Sequence, residues 1–184
     1  MKSLLFTLFF LSMTTTTEAQ NNDPWTEYMT PNEVHKLLGD YMGEFNLELS
    51  MWMKEGSDPT VVNVSSFHTM ILGERFLEIT QAGTMMGTEY QSITTLGFNT
   101  ANKTFSLTAL TSMGTGTLYL NGTWDAEKRT ANLTGQMTNP TDGKTISVRQ
   151  LITFIDENQL LIENFDTYAG GKEKKSAQYK FVRK

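Results

Sequence analysis

The sequence predicts an all-β protein: an antiparallel meander of about ten strands closed into a barrel, with one short helix before it. Three observations predict this class. From Glu44 onward, segments with alternating apolar and polar residues recur at even spacing, and turn-forming residues separate them. The turns have hairpin length, so each strand is expected to pair with the preceding one. Ten strands in an open sheet would leave two bare edges, and closure into a barrel removes both. A two-sheet sandwich is the alternative architecture.

The first nineteen residues have the layout of a secretory signal peptide. Lys2 supplies a basic start, Leu4–Met13 is an apolar run, and Ala19 is a small residue before a polar chain. The run is too short to span a bilayer, because a spanning helix needs roughly 20 apolar residues. We therefore expect residues 1–19 to be cleaved and the mature chain to be secreted or periplasmic, with no membrane span. An N-terminal core helix is the alternative interpretation.

Residues 20–29 are expected to form a flexible lead-in to a single barrel domain over residues 30–184. The helix is predicted to begin with Thr30 as its N-cap, Pro31 in its first turn and Glu33 completing a capping box. An apolar stripe with helical spacing follows, formed by Val34, Leu37, Leu38 and Tyr41. We expect this stripe to cover one end of the barrel.

The predicted strands then follow in order, each bounded by a turn. They cover residues 45–53, 61–72, 75–81, 88–98, 103–110, 117–124, 129–137, 144–155, 159–168 and 175–182. Threonine and serine occur on both faces of several of these strands, as at Thr94 and Thr95. A solid core would be drier, so we expect an interior that holds water or a ligand, although outward-facing Thr is also common in strands.

Composition excludes several classes of function. The formal net charge of −5 argues against nucleic acid and against anionic membrane surfaces as partners. Cysteine is absent from the sequence, which rules out disulfides and thiolate chemistry. Two histidines do not supply the three or four ligands of a typical zinc site, so no metal and no cofactor is predicted. The sequence contains no Gly-x-Ser-x-Gly motif, and we predict no catalytic residue.

Three segments, in a fixed order along the chain, carry a family resemblance. Pro31–Phe45 contains a proline, a short helix with a histidine, and a Gly-Glu-Phe entry to the first strand. Leu72–Leu77 contains a Gly-Glu-Arg turn, and Leu96–Asn99 contains Gly-Phe-Asn. These segments resemble the opening, the Gly-Gly-Arg turn and the Gly-Tyr-Asp segment of a bacterial family, domain of unknown function 1579. The resemblance implies a calycin-like barrel, similar in shape to lipocalins and fatty-acid-binding proteins, and it implies no established activity.

The candidate ligand-binding residues are cations, tyrosines and one histidine. Arg75 follows a turn and Arg149 lies mid-strand; inside a barrel an arginine binds a carboxylate bidentately, and outside it is a solvated surface residue. Tyr90 and Tyr119 would supply hydroxyl groups or simply pack. His35, on the short helix, would either line the barrel mouth or pack the helix.

These observations favour an exported barrel that binds a small apolar or amphipathic molecule, such as a fatty acid, in its interior. Two alternatives stay open. One is an enzyme that acts on a small molecule in the same cavity, which two facing carboxylates or a facing histidine and carboxylate would favour. The other is a structural or interaction protein with a filled barrel, which a dry, packed interior would favour. No oligomeric state is predicted.

Overall fold

Ten antiparallel strands close into a barrel in simple up-and-down order, which confirms the predicted architecture. The structure is a computed structural model that describes residues 23–54 and 56–184. The strands are β1 (Gly43–Met51), β2 (Thr60–Ile71), β3 (Phe76–Met85), β4 (Thr88–Asn99), β5 (Thr104–Thr111), β6 (Leu118–Asp125), β7 (Thr130–Thr138), β8 (Thr145–Asp156), β9 (Gln159–Thr167) and β10 (Lys174–Arg183). The predicted signal peptide lies outside the described residues.

The barrel closes where β1 meets β10. The two strands pair antiparallel, from Phe45 opposite Arg183 to Met51 opposite Ala177. Every other strand pairs with its neighbours in sequence, as hairpin-length turns require. The sheet therefore has no free edge, and the two-sheet sandwich is excluded.

Two helices precede the barrel: α1 (Pro24–Met29) and α2 (Glu33–Gly39). Helix α1 falls within the segment expected to be a flexible lead-in, and it makes residues 24–29 helical. The cause is local, because Asp23 caps the helix by accepting a hydrogen bond from the backbone N–H of Thr26 at 3.2 Å.

Helix α2 is the predicted helix, but it begins two residues later than the sequence suggested. Its N-cap is Asn32 rather than Thr30, and the Asn32 side chain accepts a hydrogen bond from the Val34 N–H at 3.0 Å. His35, not Glu33, completes the capping box, because its Nδ1 accepts from the Asn32 N–H at 3.1 Å. Thr30 instead ends α1 in an extended conformation, and this leaves the cap of α2 to Asn32.

The apolar stripe of α2 covers one end of the barrel, which we call the helix end. Leu38 and Tyr41 are fully buried there, while Leu37 is only partly buried. The interior at this end is aromatic; its buried rings are Phe45, Phe98, Phe105, Phe154 and Phe181. Tyr41 meets Phe154 edge-on with ring centroids 5.1 Å apart, and its hydroxyl donates to the carbonyl of Asp156 at 2.6 Å.

The opposite end of the barrel, which we call the loop end, is formed by the other set of hairpin loops. Within the part of the chain that the structure describes, no helix is both long enough and apolar enough to cross a bilayer.

Candidate functional site

On part of the barrel wall, the inward-facing positions change from apolar to polar from the helix end toward the loop end. On β9, for example, Leu160 and Ile162 face inward and are followed at the same alternation by Asn164 and Asp166. We call the polar side chains of this region the interior polar cluster. It consists of Gln81, Tyr90, Ser92, Gln150, Asn164, Asp166, Ser176 and Tyr179.

One part of the cluster lies on β3 and β4. Gln81 and Ser92 are cross-strand partners, and both are buried. The hydroxyl of Tyr90 donates to Oε1 of Gln81 at 2.9 Å. Burial raises the pKa of the Tyr90 phenol and the nearby Ser92 hydroxyl opposes this shift, so the Tyr90 hydroxyl remains a donor at neutral pH.

The other part lies on β8, β9 and β10 and forms a chain of hydrogen bonds. Nε2 of Gln150 donates to Oδ1 of Asn164 at 3.0 Å. Nδ2 of Asn164 in turn donates to Oδ1 of Asp166 at 2.8 Å and to Oγ of Ser176 at 2.6 Å. This chain fixes the orientation of the Asn164 and Gln150 amides, and it leaves Oε1 of Gln150 pointing away from Asn164.

Tyr179 lies near both parts of the cluster. It is the cross-strand partner of Leu49 on β1 and of Ile162 on β9, so its ring faces the interior. Burial is the main cause that raises the pKa of its phenol, and the nearby Tyr90 and Asp166 raise it further. The Tyr179 hydroxyl makes no hydrogen bond to any described residue, so it is a free donor between the two parts.

Two further atoms of the cluster lack partners. Oγ of Ser92 and Oε1 of Gln150 are buried and have no hydrogen bond within residues 23–54 and 56–184. Their residues are only 8% and 7% exposed. Leaving a buried polar group unpaired costs about 1–3 kcal/mol, so such atoms generally contact an ordered water or a ligand.

The cluster contains one carboxyl group and no basic side chain. Burial raises the pKa of Asp166, and hydrogen bonds from Ser176 and Asn164 oppose this shift. The neighbouring Lys175 on β10 does not serve the cluster, because its Nζ contacts Glu163 at 2.7 Å and Gln178 at 2.6 Å. The electrostatics of the site therefore disfavour a bound anion.

The loop end retains accessible interior surface. Several inward-facing residues there are only partly buried: Val62, Thr94, Ala109, Leu118 and Tyr179. At the helix end Leu77 and Phe105 are fully buried, whereas Met70 and Trp124 are only partly buried. Solvent therefore reaches inward-facing side chains at the loop end.

Of the five candidate residues from the sequence, Tyr90 alone belongs to the cluster. Arg149 lies on the outer surface, where its Nε and Nη2 donate to the two carboxylate oxygens of Glu173 at 2.8 and 2.6 Å. Its guanidinium also lies 4.2 Å from the centroid of the Phe165 ring. The strict alternation of β8 puts Gln150, the next residue, inside instead. Tyr119 is also an outer residue and is 56% exposed.

Arg75 and His35 come together, but at the helix end. Arg75 donates to the carbonyl oxygens of Leu72, Gly73 and Met29 at 3.2, 2.8 and 2.5 Å, so it ties α1 to the β2–β3 turn. The two side chains line a surface cavity of about 250 Å³. His35 is buried, and burial is the main cause that lowers its pKa, with Arg75 contributing. Both residues hold the helices in place.

His68 is buried among the aromatic rings of the helix end, where both of its ring nitrogens are hydrogen-bonded. Its Nδ1 donates to the Tyr41 carbonyl at 3.1 Å, since a carbonyl oxygen only accepts. Its Nε2 then accepts from the hydroxyl of Ser66 at 2.9 Å. Burial lowers its pKa to about 4, despite the opposing hydrogen bond to Tyr41. Both nitrogens of the neutral ring are thus already occupied. The described residues contain no group of three or more His, Asp or Glu side chains arranged to hold a metal.

Comparison with known proteins places the chain in a family. The model of a family described as "Protein of unknown function (DUF1579)" matches residues 30–183. The chain belongs to this family. The DUF1579 match spans α2 and all ten strands, and it confirms the resemblance seen in the sequence. No curated protein matches the chain. Among solved structures, a redesigned beta barrel matches the DUF1579 chain with a TM-score of 0.42 and 11% identity, covering 80% of this chain and 95% of the other.

Proposed function

We propose that this DUF1579 barrel binds a small amphipathic molecule inside its loop end. The observation that carries the proposal is the pair of unpartnered buried atoms, Oγ of Ser92 and Oε1 of Gln150. A ligand with a polar group would satisfy these atoms and the free hydroxyl of Tyr179. Its apolar part would pack against Leu49 and Ile162, the cross-strand neighbours of Tyr179.

The arrangement supports binding better than catalysis. General acid–base chemistry at such a site needs two facing carboxylates, or a histidine with a carboxylate, within hydrogen-bond reach of a substrate. The interior polar cluster supplies Asp166 alone, and His68 lies in the aromatic end with both nitrogens occupied. In a filled barrel without a ligand, only water could form hydrogen bonds with the buried atoms of Ser92 and Gln150.

Titration with Nile red, a neutral dye that fluoresces in apolar surroundings, tests the proposal. We expect saturable binding to the wild type and loss of binding in Ser92→Leu, because the new side chain fills the inward space. The matched control is Ser147→Leu, since Ser147 is exposed on the outer face of β8. Denaturant melts establish that both variants fold. Absence of saturable binding to the wild type, or equal binding to both variants, would contradict the proposal.

We also propose that the barrel is exported. The support is the basic, apolar and small-residue pattern of residues 1–19. Expression of the full chain in a Gram-negative host should give a protein that lacks about nineteen N-terminal residues and is found outside the cytoplasm, as measured by intact mass after fractionation. Recovery of the uncleaved chain from the cytoplasm would contradict export.

A further inference from the structure

We infer that the ligand is an uncharged amphiphile whose polar group both donates and accepts hydrogen bonds, such as a long-chain primary amide. This inference rests on the proposed function, because it specifies the ligand of the same interior site. It departs from the fatty acid that the sequence favoured.

The first argument is the complement of free hydrogen-bonding atoms. The hydroxyl groups of Tyr179 and Ser92 are free donors, and Oε1 of Gln150 is a free acceptor. A carboxylate offers only acceptors and would leave the Gln150 oxygen unpaired. An ammonium group offers only donors and has no acceptor for the two hydroxyls. A primary amide carries both an acceptor oxygen and two N–H donors, so it offers a partner of the right kind to each of the three residues.

The second argument is charge. A buried anion needs a cation or several donors, and without them its desolvation is prohibitive. The two arginines that the sequence offered are engaged elsewhere: Arg149 by Glu173 on the outer surface, and Arg75 by backbone carbonyls at the helix end. The one ionisable carboxyl within the cluster, Asp166, would repel a second carboxylate.

The third argument is that Asp166 is already hydrogen-bonded. Nδ2 of Asn164 donates to Oδ1 of Asp166 at 2.8 Å and also to Oγ of Ser176 at 2.6 Å. Burial raises the pKa of Asp166, and the hydrogen bonds from Ser176 and Asn164 oppose this shift. Neutral groups thus already serve this carboxyl, and a cationic ligand would have to displace them. A long-chain amine therefore gains little from this residue.

Displacement of Nile red by four probes of equal chain length tests the inference. The probes are dodecanamide, dodecanol, dodecanoate and dodecylamine, each used below its critical micelle concentration at pH 7.5. We expect dodecanamide to bind at least about tenfold more tightly than dodecanoate or dodecylamine, which corresponds to about 1.4 kcal/mol. Dodecanol, which also donates and accepts, should lie closer to the amide. Equal or tighter binding of the acid or the amine would overturn the inference.

A second arm uses Tyr179→Phe, which removes a free donor and keeps the ring. We expect the preference for dodecanamide to shrink several-fold while Nile red binding persists. Tyr119→Phe is the matched control, because Tyr119 lies on the outer surface. If Nile red and all four probes fail to bind the wild type, the proposed function itself fails. If the probes bind without preference, or if Tyr179→Phe leaves the preference intact, binding stands and the assignment of the ligand class is wrong.

Discussion

The imidazole of His68 stacks face to face on the ring of Phe45, with centroids 4.3 Å apart and planes inclined by 14°. Phe181 meets the same imidazole edge-on at 5.2 Å. The guanidinium of Arg183 lies 4.7 Å from the Phe45 centroid, so a cation sits close to the stack. Protonation of His68 would place a second positive charge in a buried aromatic environment. The packing therefore requires a neutral imidazole.

The first prediction is that acid destabilises the protein through His68. The unfolded chain binds this proton near pH 6.5, whereas the folded protein binds it near pH 4. Between these values the unfolded state holds more protons, so the free energy of unfolding falls as pH falls, by at most about 1.4 kcal/mol per pH unit and roughly 3 kcal/mol in total. Denaturant melts of the wild type between pH 7.5 and 4 measure this loss.

His68→Phe should show a flatter pH dependence than the wild type, because it removes the titrating group and keeps an aromatic ring. His35→Gln is the control for the other histidine, because burial also lowers the pKa of His35. Asp166 acts in the opposite sense: its raised pKa adds stability that is complete below the unfolded value and is lost as pH rises. Comparing variants cancels that contribution. Parallel profiles for wild type and His68→Phe would rule out the assignment.

The second prediction concerns the helix that covers the barrel. Leu38 is fully buried, so Leu38→Ala should lower the free energy of unfolding by about 2–5 kcal/mol. Leu37, its partly buried neighbour, provides a matched comparison, and Leu37→Ala should cost clearly less. Urea melts measure both. Equal losses, or a larger loss at Leu37, would mean that α2 presents a different face to the barrel.

The third prediction concerns the close approach of β6 to β7. A Cβ on Gly122 would overlap the carbonyl oxygen of Asn132 and lie 2.8 Å from Cα of Leu133, and both are backbone atoms that cannot rotate away. Gly122→Ala should therefore cost about 1–3 kcal/mol or more. Gly116→Ala is the control, because no atom lies within 4 Å of its added Cβ. Similar melting curves for the two variants would show that the strands have room to separate.

The fourth prediction is that Arg149 is dispensable for binding. Its pairing with Glu173 is on the surface, where such ion pairs contribute about 0–1 kcal/mol. Arg149→Met should leave Nile red affinity unchanged and lower stability by less than about 1 kcal/mol, with the loss reduced further at high salt. A tenfold loss of affinity in this variant would show that the arginine reaches the ligand.

The strand content was predictable because alternation marks each strand directly. The end of β3 was harder: the sequence suggested that the turn begins at Gly83, but β3 continues to Met85. The actual turn is made by Met86 and Gly87, which both have positive φ. Gly83 lies inside the strand, where a glycine is needed because a Cβ would come within 2.7 Å of Cγ1 of Val64. A glycine with positive φ in a turn and a glycine that avoids a steric overlap inside a strand cannot be distinguished from the sequence alone.

The site was only partly predictable for a similar reason. Gln150 shares its alternation with the apolar residues Val148 and Ile152, so the sequence contained the signal that it faces inward. Arg149 was the candidate instead, because an arginine side chain can bind a carboxylate bidentately. Its partner Glu173 lies 24 residues away, in the loop between β9 and β10, and no local pattern reveals that pairing. Long-range partners thus decided which candidate residues were free to act.

The seam between β1 and β10 has a consequence for how the barrel assembles. All other pairings join strands that are adjacent in sequence, so they form as local hairpins with short loops. The seam joins the two ends of the barrel sequence, and Lys184 still donates its backbone N–H to the carbonyl of Glu44 at 3.0 Å. Closing so long a loop carries the largest chain-entropy cost in the fold. We therefore expect the seam to form last in folding and to open first under mechanical load.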